Sequence, residues 1–320
     1  MPMLIRNTVI LAKLETTYGV DAAPTGAANA LLVSDASFEL SIDNVNRDLL
    51  RSSMGGSEQL AGTRYVKCEF TVELSGSGTA GTAPAWGPLL RGCGMAETIS
   101  AGSNVSYNPV SQGFESLTIY YYLDGAVHKA LGCRGTCEIS AELGGRPTLK
   151  FSFVGIYGGI SASANPSATL TAWKKPVAIT DANAGDITIG ATFTAATATI
   201  TGGTTYPSKG VNITLGQKVE YVPLLGGESV DITGRETTGK LALDVTPAQA
   251  ATMYADVIAN ATASLALEIG TAAGSKVLLW APTVQRINPK WEEYNGRALL
   301  GMDLRLIPNT GNDELVIAAK

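Results

Sequence analysis

The sequence predicts a mainly β protein with two tandem domains, and three observations support this. The 320 residues are rich in glycine (36) and only 16% charged, as in a folded, turn-rich chain. Several segments alternate apolar and polar residues, which is typical of strands with one buried face. A weak internal repeat relates the two halves. At roughly 150 residues per domain, we expect domains over residues 1–165 and 166–320.

The clearest strands are predicted in the first half. Residues 67–74 place apolar side chains on one face and polar or charged side chains on the other, and residues 137–143 and 149–153 repeat the pattern. Residues 144–147 (GGRP) predict a hairpin turn between the last two segments, because glycine supplies the positive φ that a tight turn needs.

Two helices are expected, one in each half. Residues 84–91 (PAWGPLLR) predict a short helix beginning at a proline. Residues 247–260 predict a longer one with Thr246 as its N-cap. Residues 161–206 have a linker-like composition of Ala, Thr, Ser and Gly, although residues 187–189 and 195–200 are still compatible with strands.

The internal repeat is weak but keeps its order. Four pairs of segments correspond: 38–42 with 211–215, 62–74 with 234–245, 116–119 with 264–267, and 145–153 with 296–306. A proline-led helix follows the second pair in both halves. Chance similarity between β-rich segments is the alternative, but the shared order of strand, strand, helix, strand and hairpin favours a duplicated domain.

Residues 76–81 form a literal GxGxxG motif, which raises the possibility of a dinucleotide site. The preceding strand argues against it, because Glu69 and Glu73 alternate there whereas a Rossmann first strand is continuously apolar. Pro84 and Pro88 also interrupt the helix that would face a pyrophosphate. We predict a flexible turn and no cofactor.

Other candidate chemical groups have simpler explanations. Cys133 and Cys137 would lie about 13 Å apart on a strand, too far to share a metal, so we predict buried free thiols, with a disulfide as the alternative. His128 is expected to be exposed in a hairpin. Carboxylate pairs such as Glu292-Glu293 are read as solvated charges, although a glycosidase-type pair is the alternative. We expect no catalytic or metal site.

Charge and hydropathy narrow the class of partner. The net charge of -5, from 23 basic and 28 acidic residues, disfavours binding to nucleic-acid phosphates. No window approaches the roughly 18 apolar residues of a membrane span. The apolar stretch near the N-terminus is broken by Lys13 and is too short for a secretory signal. We expect a protein made and kept in a cytoplasm, without membrane insertion.

The polar faces of the alternating strands are mostly acidic. Acidic residues there are Glu69, Glu73, Glu138, Glu142, Asp244, Glu268 and Asp303, against the basic Lys67, Lys150, Lys240 and Arg305. If these faces join, they form one acidic wall; an ordinary soluble sheet surface is the alternative.

Several segments resemble the major tail tube proteins of long-tailed, siphovirus-type bacteriophages. The similarity is carried by residues 11–35, 47–51 (RDLLR), 76–94 (GSGTAGTAPAWGPLLRGCG) and 105–109 (VSYNP). It covers most of residues 1–158, and the second half resembles the family only through the internal repeat.

The resemblance implies two tail-tube-type β-sandwich domains, each with a short flanking helix and a long hairpin, whose strands join a ring-shaped β-barrel. Six such domains form a ring, so a two-domain chain predicts a trimer with pseudo-sixfold symmetry. Stacked rings would form a hollow, non-enzymatic conduit for the genome. Implied partners are the tape-measure, tail terminator and distal tail proteins, with DNA passing through unbound. The location would be the virion tail, after assembly in the bacterial cytoplasm.

The resemblance also assigns roles to residues. The seven acidic residues above would face the lumen. Residues 44–62 and 216–234 would form inter-ring loops containing Arg47, Arg51, Glu58, Glu220 and Glu228. The N-terminal arm, residues 1–30, lacks clear alternation and is expected to become ordered only on assembly. The alternative is another self-assembling or adhesive β-rich virion protein, such as a decoration or fibre module.

Overall fold

Strands dominate the computed structural model, which describes residues 3–320. The first-half strands are β1 (Thr8–Leu14), β2 (Ala30–Leu31), β3 (Ser34–Asn46), β4 (Gln59–Glu73), β5 (Met95–Ser100), β6 (Asn104–Pro109), β7 (Leu117–Leu123), β8 (Ala126–Glu142) and β9 (Thr148–Ala162). The remaining strands are β10 (Ile187–Ile189), β11 (Thr192–Thr194), β12 (Thr199–Thr201), β13 (Thr204–Tyr206), β14 (Ser208–Thr214), β15 (Gln217–Leu224), β16 (Gly227–Arg235), β17 (Thr238–Leu243), β18 (Thr262–Ile269), β19 (Val277–Tyr294), β20 (Arg297–Leu306) and β21 (Val316–Ala319). The helices are α1 (Gly26–Asn29), α2 (Gly87–Gly92) and α3 (Pro247–Ile258). The predicted mainly β class is confirmed. Among residues 3–320, no helix is long and apolar enough to cross a membrane.

Two runs of antiparallel strands have the same order. In the first half the hydrogen-bonded order is β2-β1-β7-β8-β9-β4-β3. In the second half it is β13-β10-β18-β19-β20-β17-β14. When the seven strands of each run are numbered by their order along the chain, both runs read 2-1-5-6-7-4-3 across the sheet. The two halves therefore share one strand topology although their sequences differ.

A direct pairing joins the two runs. The outermost strand of the second run, β14, pairs antiparallel with the end of β8, and Ile213 lies opposite Ile139. The strands β3-β4-β9-β8-β14-β17-β20-β19 thus form one continuous eight-stranded surface, the wall sheet. Two small hairpins, β11–β12 and β15–β16, stand apart from it. The last strand, β21, lies between β19 and β6 and connects β5 and β6 to the same sheet.

The core lies under the inner face of the strands, as the alternation predicts. Phe70, Phe151 and Phe153 are buried and pack against one another, with ring centroids 5.7–6.0 Å apart. Beside them, α2 inserts Leu89 and Leu90, which are both fully buried. A single buried apolar cluster continues from the first half into the second. Burial of apolar surface thus stabilises the junction between the halves.

The predicted helices are present, with one boundary corrected. A capping box at α3 confirms Thr246 as N-cap: its hydroxyl accepts from the Gln249 N–H, and the Gln249 side chain accepts from the Thr246 N–H. The shorter helix begins at Gly87 instead of Pro84. The residues before it form a turn in which the Gly87 N–H donates to the Pro84 carbonyl, so only the last part of the predicted segment is helical.

The linker-like segment is also structured. Residues 187–189 form β10 as predicted, but of residues 195–200 only Thr199 and Ile200 lie in a strand, at the start of β12. Residues 195–198 form the turn of the β11–β12 hairpin, where Ala198 has a φ of +48°. The hairpin turn predicted over residues 144–147 is confirmed, since residues 143–147 connect β8 to β9.

The N-terminal arm does not fit the expectation that it becomes ordered only on assembly. Met1 and Pro2 lie outside the described residues, but β1 pairs along its whole length with β7 and also contacts β2. Its consecutive residues Ile10, Leu11 and Ala12 are all buried. Alternation is absent because both faces of β1 are covered, and a strand buried on both faces carries no period-two signal.

Candidate functional site

The outward face of the wall sheet brings polar residues of both halves together. Directly opposed residues in an antiparallel sheet share a face. One such row runs across six strands: Glu73, Thr148, Ser140, Asn212, Lys240 and Asp303. The Glu73 and Asp303 side chains therefore lie on the same side, although they belong to different halves.

Five of the seven acidic candidates share this outward face: Glu69, Glu73, Glu138, Glu142 and Asp303. Neighbouring side chains hold three of them in place. The Ser152 hydroxyl donates to Glu69 over 3.1 Å, the Asn212 amide to Glu142 over 2.7 Å, and the Asn288 amide to Asp303 over 3.0 Å. The same face carries the basic Lys67, Lys150, Lys240, Lys290 and Arg305. The wall is therefore mixed in charge.

The same ion pair occurs once in each half. Arg146 lies 3.2 Å from Glu73 in the first half, and Arg297 lies 2.9 Å from Asp244 in the second. Each arginine follows the glycine of the long hairpin, and each acid ends or follows the strand that pairs beside it. Asp244 thus lies at the margin of the wall sheet, just beyond β17.

Glu268 is not brought together with the others. It lies on β18, which is outside the wall sheet, 2.9 Å from the Lys276 ammonium and 2.7 Å from that of Lys320. Burial alone raises the pKa of Glu268, but hydrogen bonds from the two ammonium groups lower it below its ordinary value overall. Glu268 therefore joins the end of the chain to β18.

The first predicted loop is a continuation of β3 and β4. The two strands stay paired as far as Asn46 opposite Gln59. Just beyond, the Arg47 guanidinium pairs with Glu58 across the hairpin. Arg51 is exposed further along the loop. Arg47 thus has a partner in its own chain.

The second predicted loop is the ordered β15–β16 hairpin. Glu220 lies on β15, and Glu228 on β16 accepts a 2.5 Å hydrogen bond from the Tyr221 hydroxyl. Burial and the bond to Glu228 raise the pKa of Tyr221 to about 12. Leu224 and Leu225 are exposed at the tip.

Sequence reasoning missed that this hairpin rests on the other half of the chain. Arg134 on β8 donates to the Val230 carbonyl over 2.8 Å and to Asp231 over 2.9 Å. Tyr65 on β4 stacks on Tyr221 with centroids 5.1 Å apart. These contacts join residues distant in sequence, so no local pattern reports them.

Two strand edges of the wall sheet are open in the described part of the chain. On its outer side β3 has no partner, since it pairs only with β4. The final residues of β19, from Lys290 to Tyr294, pair only with β20. Trp291 is 52% exposed there. Open edges offer unpaired N–H and C=O groups to another chain.

The GxGxxG segment forms turns, as predicted. Gly78 and Gly81 have φ values of +88° and +73°, and the Gly78 N–H donates to the Gly274 carbonyl over 2.8 Å. A Cβ at Gly76 would lie 2.2 Å from that same carbonyl oxygen. Close backbone packing between the two halves therefore explains these glycines.

The four cysteines are buried free thiols, which confirms that prediction. His128 differs from its expected exposure, because it is half-buried against the Phe38 ring at 5.1 Å, and this burial lowers its pKa. In residues 3–320 no group of three or more His, Cys, Asp or Glu side chains is placed to hold a metal ion.

We expect the thiols to be unreactive in the folded protein. Burial raises the pKa of Cys68, Cys93, Cys133 and Cys137, so the nucleophilic thiolate is scarce at neutral pH and the sulfurs are screened from reagents. A maleimide at pH 7 should label none of them before denaturation and all four afterwards. A variant with Ser167→Cys, at an exposed position outside the wall sheet, serves as the positive control. Rapid labelling of the parent protein would contradict this placement.

A family model described as phage tail tube protein matches residues 5–316. No curated protein matches the chain.

Proposed function

The chain belongs to the phage tail tube protein family, and from this premise we propose that it self-assembles into stacked rings that form the hollow tail tube for genome delivery. Membership of the family makes it a structural component of the virion tail. Ring formation, stacking and conduction of the genome are the proposal.

The observation that carries the proposal is the identical strand order of the two halves, and the repeated Arg–acid pair at the long hairpin adds to it. Both support a duplication with tube domains over residues 1–165 and 166–320. A ring of six tube domains would then need three copies of the chain and would have pseudo-sixfold symmetry. Such closure also removes the open edges of the sheet.

The wall sheet supports a lumen-facing role for Glu69, Glu73, Glu138, Glu142 and Asp303, with Asp244 at its margin. A face on which carboxylates balance the basic residues has no net attraction for DNA phosphates, so the conduit would not retain its cargo. On this face Lys290 forms an ion pair with Glu292, and Arg305 forms one with Glu236. Of the seven acidic candidates, Glu268 is the least suited to a lumen-facing role, because it lies outside the wall sheet in ion pairs with Lys276 and Lys320.

The two hairpins support a role in stacking. Leu50 and Met54 in the first, and Leu224 and Leu225 in the second, are exposed apolar side chains at projecting ends. Contact with the next ring would bury them. Arg51, Glu220 and Glu228 would then face the neighbouring ring, and the Arg47–Glu58 pair would brace the first hairpin. The tape-measure, terminator and distal tail proteins are the partners expected for such a tube, with assembly in the bacterial cytoplasm.

Electron microscopy of the concentrated protein, together with mass measurement of its smallest closed ring, tests the proposal. Hollow tubes made of three-chain rings are expected, and a reconstruction should place the outward face of the wall sheet on the channel. Six-chain rings would keep the conduit but reject the duplication as the basis of ring symmetry. A chain that stays monomeric at all concentrations would instead favour a decoration or fibre module.

A further inference from the structure

We propose that the open edge of β3 in one copy pairs antiparallel with residues 290–294 of β19 in a second copy, in a defined register that copies the β14–β8 junction inside the chain. The proposal rests on the ring assembly proposed above and identifies its contact between copies. The partner is therefore a second copy of this chain.

The internal junction provides the template. There β14 meets β8 with Asn212 opposite Ser140 and Ile213 opposite Ile139. Both isoleucines are buried. In the shared strand order, β14 corresponds to β3 and β8 corresponds to β19. The strands left open at the two ends of the wall sheet are thus the counterparts of the two strands that are joined in its middle.

Cross-strand pairing fixes which residues correspond. In the first half Phe38 lies opposite Cys68, and Cys68 opposite Phe153. Phe153 lies seven residues after Arg146, and Leu304 lies seven residues after Arg297, the equivalent hairpin arginine. In the second half the matching row is therefore Ile213, Gly239 and Leu304. Phe38 is therefore the counterpart of Ile213.

The same argument identifies the residue that meets Phe38. Ile139 lies opposite Leu149, which precedes Phe153 by four residues. Trp291 lies opposite Leu300, which precedes Leu304 by four residues. Trp291 is therefore the counterpart of Ile139, and the register between copies places Phe38 opposite Trp291.

This register also matches the chemistry on both faces. On the core side it brings two aromatic rings together, Phe38 and the half-exposed Trp291. On the wall side it sets Glu39 opposite Lys290 and Ser37 opposite Glu292. The Lys290 side chain is 71% exposed, and within its own chain its neighbour is Glu292 at 3.1 Å. Opposite charges and aromatic pairs facing each other across strands are stabilising.

The geometry of the contact suits ring closure. The two edges are different surfaces at opposite ends of the wall sheet, so each copy can bind one neighbour through β3 and another through β19. Such head-to-tail contacts produce closed rings when the rotation between copies closes. The same contact would extend the wall sheet from copy to copy without an open edge.

A disulfide between copies tests the register. At the template, the Leu215 N–H donates to the Cys137 carbonyl over 2.9 Å. Hydrogen-bonded pairs recur every second residue, so Asn212–Ser140 is a non-hydrogen-bonded pair, with Cα atoms about 4.5 Å apart. This lies within disulfide range. Its counterpart between copies is Ser37 with Glu292, and both are on the surface.

The double variant Ser37→Cys with Glu292→Cys is expected to give a covalent closed three-chain product under mild oxidation, visible on non-reducing gels. Mixing the two single variants should give a two-chain product, which can form only between copies. The matched control, Ser37→Cys with Glu293→Cys, should not cross-link, because successive side chains point to opposite faces of a strand.

The outcomes separate this inference from the proposed function. Tubes that assemble normally from the double variant but remain uncross-linked, or that cross-link only in the Glu293 control, would overturn the register and leave the tube intact. A parent protein that forms no rings would reject the proposed function itself.

A charge test is independent of cysteine chemistry: Glu39→Lys and Lys290→Glu should each raise the protein concentration needed for assembly several-fold. The double reversal should return it toward the parent value.

Discussion

The Trp86→Ala variant is expected to lose about 3–5 kcal/mol of its free energy of unfolding, as large aromatic deletions from a packed core do. Trp86 is 1% exposed beside α2. Its ring packs on Tyr107 with centroids 5.1 Å apart, and its indole N–H donates to the Ser75 carbonyl over 2.8 Å. The variant loses the packing contacts, leaves a cavity and removes the donor from a carbonyl beside the glycine-rich turn.

Urea unfolding followed by circular dichroism measures this effect through the midpoint of the transition. The control is Trp291→Ala, which removes the same side chain from the open edge of β19. Its unfolding midpoint should stay near that of the parent, with a change of at most about 0.5 kcal/mol, because it is half-exposed in the single chain. Its assembly into rings should nevertheless weaken. Equal destabilisation by the two variants would contradict the assignment of Trp86 to the core.

The Arg235→Ala variant is expected to cost about 3–5 kcal/mol, because it leaves a buried carboxylate without its counter-charge. Arg235 at the end of β16 forms an ion pair with Glu314, which is buried just before β21. The guanidinium also donates to the Val110 carbonyl over 2.8 Å. This one side chain therefore connects the β15–β16 hairpin to Glu314 before β21 and to Val110, the residue that directly follows β6.

Two variants give this prediction its controls. Arg47→Ala breaks an exposed pair with Glu58 and should change stability by only about 0–1 kcal/mol. Adding Glu314→Gln to Arg235→Ala should recover part of the loss, because an uncharged amide costs less to bury than a carboxylate. Thermal unfolding compares all four proteins. The placement of Glu314 is wrong if Arg235→Ala and Arg47→Ala have equally small effects.

Local patterns predicted the elements that have one buried face. The alternation in residues 137–143 and 149–153 placed the β8–β9 hairpin correctly, and Thr246 marked the start of α3. The patterns failed where a strand is buried on both of its faces. β1 is buried on both faces, since Ile10 and Ala12 belong to the main apolar cluster and Leu11 to a second one, so its apolar run shows no alternation.

Among the acidic candidates, too, the local pattern placed some residues correctly and misplaced one. Alternation alone assigned Glu69 and Glu138 to the polar face of their strands, and the sheet pairing places both on one surface. Glu268 satisfies the same local pattern, yet it lies on β18, away from the wall sheet. A period of two specifies the face of a strand but carries no information about which strands are neighbours.

By itself the sequence determined the mainly β class, the two helices and the long hairpin, because periodicity, capping and glycine turns are local properties of consecutive residues. The family followed separately from the resemblance of particular segments and from the family match. Only the tertiary structure decided how the halves join and how they correspond. Sequence similarity aligns Phe38 with Val211, whereas cross-strand pairing aligns it with Ile213. Bulges near the start of both β3 and β14 insert an extra residue and shift the register. Register is set by long-range hydrogen bonding and burial, so it becomes visible only once distant strands have paired.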